Sequence, residues 1–71
     1  MNPPPVEHLH VGSPERMAIL ENYWNNAPMD LLAIHLQGYE GIVVKRGREY
    51  PYWIKEANAC REIFNKRSQS Q

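Results

Sequence analysis

With 71 residues, 42% of them hydrophobic, the chain has material for one small domain and a correspondingly small core. Domains of this size bury only about 60% of the surface their unfolded chains expose, which leaves little room for an enclosed, water-excluding pocket. Eight Lys or Arg balance eight Asp or Glu, and that neutrality argues against a protein whose affinity comes mainly from neutralising phosphates.

The chain opens with Met1-Asn-Pro-Pro-Pro5, which lacks the basic and apolar segments of a secretory signal. Three consecutive prolines favour polyproline II, so residues 1–12 are expected to form a flexible, extended tail. Val6-Glu-His-Leu-His-Val11 then alternates apolar and polar residues like a single strand. Such a segment could add to a partner's sheet or lie in a groove; the simpler reading is that Leu9 and Val11 cap the domain's own core. His8 and His10 supply at most two metal ligands, with only the distant His35 to add, so no metal site is expected.

A first helix is announced at Ser13-Pro-Glu15, with a good N-cap, a proline suited to the first helical position and an acid at the positive end of the dipole. Met17, Leu20 and Trp24 form its buried stripe, widened by Ile19 and Tyr23, and Trp24 reads as a core anchor. Asn25-Asn26-Ala27-Pro28 ends it. A second helix over 28–37 carries Met29, Leu32, Ala33 and Leu36 on one face and leaves Leu31 and Ile34 off that face, with at least one of them exposed. Gly38 is placed to close this helix in a left-handed conformation. Beyond it, Val43, Gly47 and Tyr50 are spaced as on a further short helix. The β-branched run Ile42-Val43-Val44 instead allows a hairpin of 41–45 with 48–54, in which Pro51 would require an edge position. A last amphipathic helix places Trp53, Ala57, Cys60 and Phe64 on one face, making Cys60 a small buried hydrophobe. As the sole cysteine, it excludes an internal disulfide and suits a reducing compartment. Residues 66–71 are polar and expected to be disordered.

The order Leu36-Gln-Gly-Tyr-Glu-Gly-Ile-Val43, followed by Lys45, Arg46 and Arg48, resembles homeodomain-like helix-turn-helix units of small phage and bacterial regulators. In that resemblance Ala33 is the small residue where the two helices cross, Leu36 the last core contact before the turn, and Val43 the residue packing back. The implied fold is all-α: a three- to four-helix helix-turn-helix bundle over residues 13–65, with tails at 1–12 and 66–71. Gly41 and Gly47 depart from the pattern, each costing a helix roughly 1 kcal/mol relative to Ala.

No nucleophile elbow, phosphate loop or metal motif is present, and the carboxylates read as solvated surface groups, so neither enzymatic activity nor a cofactor is expected. No apolar run approaches the roughly 20 residues that span a bilayer, and a cytoplasmic location is expected. Charge is segregated along the chain: Arg16 is the only cation before residue 41, against Glu7, Glu15, Glu21, Asp30 and Glu40. In size and layout the chain resembles the small early regulators of lytic phages that bind bacterial RNA polymerase. That resemblance implies inhibition of initiation or altered termination by occlusion, with Val6, His8, Leu9, His10, Lys45, Arg46 and Arg48 as partner contacts. The alternative is a DNA-binding repressor or activator with residues 40–50 in the major groove and Arg46 reading guanine.

Overall fold

The computed structural model describes residues 3–70. They form three helices, α1 (Pro14–Asn26), α2 (Met29–Arg46) and α3 (Tyr52–Gln69), and no strand occurs among the described residues. The start of α1 lies beside the start of α3, where Arg16 meets Glu56, and its end lies beside α3's end, where Arg67 reaches the Trp24 carbonyl. α1 and α3 therefore run in parallel. α2 runs against them: Tyr39 meets Trp53 and bonds Glu56 near α3's start, while Ala33 and Leu36, earlier in α2, line a groove with Phe64 further along α3. α3 packs on both other helices, which touch each other much less.

α1 begins as its residues dictate. The Ser13 hydroxyl accepts the Arg16 backbone N–H at 3.3 Å, Pro14 takes the first helical position, and Glu15 sits in the first turn. It stops because Ala27, preceding a proline, is held extended at φ −70 and ψ 152. Met17, Leu20, Tyr23 and Trp24 are buried as their spacing requires, whereas Ile19 is left on the surface. Trp24 is fully enclosed and meets the Tyr39 ring edge to face at 5.7 Å. Its indole N–H has no conventional hydrogen-bond partner among the described residues.

The turn expected at Gly38 is not formed. α2 continues unbroken through Gly38 and Gly41 to Arg46, and neither glycine has a positive φ. Leu32, Leu36, Tyr39 and Val43, at i, i+4, i+7 and i+11, make one stripe that passes straight through the glycine and packs against the core. Continuous packing on that side outweighs the helix cost of the two glycines. Ala33, read as the helix-crossing residue, is exposed at the flank of α2, in a groove shared with Leu36 and Phe64. The hairpin reading fails too, since 41–46 is helical and 52–54 already belongs to α3.

The real reversal lies at 47–51. Gly47 donates its backbone N–H to the Val43 carbonyl at 2.9 Å, and Tyr50 donates to Arg46 at the same distance. A Cβ on Gly47 would stand 2.5 Å from the Val43 oxygen, so the chain leaves the helix where only glycine fits comfortably. α3 then buries Ala57 and Cys60 and half-buries Trp53 and Phe64, on the face its spacing predicts. It also extends past the expected end: residues 66–69 are helical, and Arg67 is bonded to Trp24.

Residues 6–12 differ from an extended tail. Two turns fold them onto the bundle, closed by bonds from the Leu9 N–H to the Val6 carbonyl and from the Ser13 N–H to the His10 carbonyl. Val6 is buried in the core and Leu9 packs on it.

Candidate functional site

The first chemistry-bearing cluster lies inside the molecule. Glu56, on the inner face of α3, is fully buried, and both of its oxygens are doubly engaged. Oε1 accepts from Arg16 Nε at 2.5 Å and from the Gly12 backbone N–H at 3.1 Å. Oε2 accepts from Arg16 Nη2 at 3.2 Å and from the Tyr39 hydroxyl at 2.9 Å. Arg16 uses its remaining nitrogen on the Val6 and Leu9 carbonyls, and its guanidinium lies 5.7 Å from the centre of the Trp53 ring. A buried carboxylate is tolerable only when paired and hydrogen-bonded, and here all four lone-pair directions are used.

This cluster joins all three helices and the N-terminal segment at one carboxylate. Gly12 can donate to it because it adopts φ +80, a conformation other residues avoid, while Lys55 secures the Gly12 carbonyl at 2.8 Å. Burial, and then the neighbouring Glu56 carboxylate, raise the Tyr39 phenol well above its ordinary value of 10.0. Burial likewise pushes the Cys60 thiol up to about 11, with Arg61 opposing weakly. Glu56 has no solvent exposure, and the arrangement ties the segments together in register.

The surface carries the residues free to recognise something else. Lys45 and Arg46 end α2 and Arg48 follows in the turn, all exposed. Among the described residues no ion pair engages any of the three. Exposed apolar groups accompany them: Val44, 86% exposed, and the pair Tyr50 and Tyr52, whose rings stand 5.9 Å apart. The N-terminal segment reaches the same end of the bundle, since Gly12 lies against Tyr52 and Lys55. Of the four contact candidates in that segment, His8 and His10 are exposed, whereas Val6 is committed to the core and Leu9 is partly covered. The N-terminal segment, far from the cations in sequence, thus joins the bundle at Gly12 beside the start of α3. Among the described residues no three His, Cys, Asp or Glu side chains gather to hold a metal ion, and no helix is long and apolar enough to cross a membrane.

A second surface feature is a groove of about 300 Å³ beside α2, lined by Ile34, His35, Gly38, Tyr39, Ile42 and Trp53. Gly38 leaves open space there, for a Cβ built on it would find nothing within 4 Å.

Sequence reasoning missed the Glu56 cluster by placing every carboxylate at the surface. The available signal was Glu56 itself, one residue before Ala57 on the buried stripe of α3, with Arg16 as the only cation in the first 40 residues. Comparison with protein-family models, curated proteins and solved structures returns no match.

Proposed function

We propose that this chain is a small binding module that docks a protein partner on the end of the bundle where α2 passes into α3. The carrying observation is the mixed surface there: Tyr50 and Tyr52, 39% and 45% exposed, beside Arg46 and Arg48 with no internal partner among the described residues. Tyrosine and arginine are among the side chains that most often dominate protein interfaces, and adjoining exposed apolar groups mark interaction surfaces. His8 and His10, both exposed in the segment that leads to Gly12 beside Tyr52, are proposed as further polar contacts. The partner we propose is bacterial RNA polymerase, which the chain would occlude as a small transcription regulator; size, balanced charge and layout support that choice.

DNA binding is the weaker reading, because residues 40–46, expected to begin a separate helix entering the groove, continue α2 from Met29 without a turn. The test is binding of purified RNA polymerase by the whole chain, compared with Arg48→Glu and Tyr52→Ala. The expected result is nuclease-resistant binding weakened roughly tenfold or more by each change. Binding to random duplex DNA with a steep salt dependence, and none to polymerase, would overturn the proposal.

A further inference from the structure

We infer that the outer face of α2 is a self-association surface, on which two copies of the chain pair antiparallel about Gly38. At 3.6 residues per turn, Leu31, Ile34, Gly38, Ile42 and Lys45 share a side of α2 that flanks its buried stripe of Leu32, Leu36, Tyr39 and Val43, and Ile34, Gly38 and Ile42 line the groove beside Tyr39 and Trp53. This side is apolar in its middle and reachable from solvent: Ile34 is 62% exposed, Leu31 and Ile42 are half-buried, and a Cβ on Gly38 would find open space.

The charges select the occupant. Asp30, exposed in the first turn, borders the face at its start, and Lys45, exposed in the last turn, closes it at its end. Glu40 points elsewhere, toward Arg61 of α3. A face that is acidic at one end and basic at the other is complementary to itself when reversed, the condition for a two-fold symmetric interface. Ile34 and Ile42 lie four residues either side of Gly38. An antiparallel pair centred there sets each Ile34 level with the partner's Ile42 and each Asp30 beside the partner's Lys45. The missing side chain at Gly38 allows the two helix axes to approach closely at the midpoint. Opposed helix dipoles favour the same orientation. Pairing takes up Lys45 and brings Arg46 level with the other copy's Asp30, while Arg48, Tyr50 and Tyr52 lie beyond this stretch of α2 and stay open for the docking proposed above.

The test is mass by light scattering or sedimentation from micromolar to millimolar concentration, with circular dichroism confirming that each variant remains helical. The expected mass rises from 8.3 kDa toward twice that value. Ile34→Asp, at an exposed position that the fold does not need, weakens association roughly tenfold or more. Asp30→Lys and Lys45→Asp each weaken it, and the double variant, which restores opposite charges across the pair, recovers it. A chain that stays at 8.3 kDa to millimolar concentration overturns the inference. So does a dimer indifferent to Ile34→Asp, or a double charge reversal no better than the single ones.

Discussion

The inner face of α3 around Glu56 and the outer face of α2 around Gly38 place unfavourable residues in a helix to opposite ends. At Glu56 a charge is buried and every one of its hydrogen-bonding directions is filled from within the chain. At Gly38 a side chain is absent and nothing from within the chain fills the space. The first spends polar groups to fix how four segments meet in a core too small to do so by packing alone. The second gives up helix stability and leaves a surface open. The contrast separates residues that specify the fold from residues that leave room for something else.

The sharpest way to break this contrast is Glu56→Ala. It strands the Arg16 guanidinium inside the protein and is expected to cost about 3–5 kcal/mol in urea unfolding, enough to unfold much of a domain this small. Replacing the pair together, Arg16→Met with Glu56→Leu, recovers part of that loss, because no lone charge remains; the Gly12 N–H and Tyr39 hydroxyl still lack their acceptor. If Glu56→Ala unfolds at the same urea concentration as the parent, the cluster is ornamental and the comparison collapses.

Alkaline pH probes the same region. Tyr39 and Cys60 both hold their protons more tightly folded than unfolded, so the stability they contribute is complete below about pH 9 and declines as pH rises through 11. The shift at Cys60 alone corresponds to about 2–3 kcal/mol. Unfolding midpoints measured from neutral pH upward should fall in this window, and Tyr39→Phe should make the fall shallower. A flat profile across the window would contradict the burial of both groups.

Two glycine substitutions sharpen the contrast at lower cost. Gly12→Ala forces a left-handed backbone onto an L side chain and brings its Cβ to 3.0 Å from that of Tyr52, so a loss of about 1–2 kcal/mol is expected. Gly38→Ala meets no neighbour and raises helix propensity, so a gain of up to about 1 kcal/mol is expected from thermal or urea unfolding. Opposite signs at two glycines of one small domain would confirm that one is required by the fold and the other is not.

Local chemistry made α1 and α3 legible: Ser13, Pro14 and Glu15 mark a start, and Trp53, Ala57, Cys60 and Phe64 mark a buried face, all as observed. α2 was misread because a glycine permits a left-handed turn without compelling one. The decisive pattern was the stripe Leu32, Leu36, Tyr39 and Val43, which crosses Gly38 without a break. Gly47, the glycine that does mark the end of the helix, was assigned to a helix interior. The docking end was only half legible. The cations were visible in order along the chain, but the proximity of the His8 and His10 segment to Tyr52 depends on Gly12, whose partner Glu56 lies 44 residues away. No local pattern encodes a contact of that span.

That long-range bond carries a consequence for motion. The Gly12 amide sits in a loop near the chain's beginning, where hydrogen exchange with solvent is usually fast. Its acceptor, however, belongs to a carboxylate that α1, α2 and α3 jointly enclose, so releasing this proton means parting the whole bundle. In deuterated water this loop hydrogen should be among the slowest to exchange, keeping pace with the interior of α3.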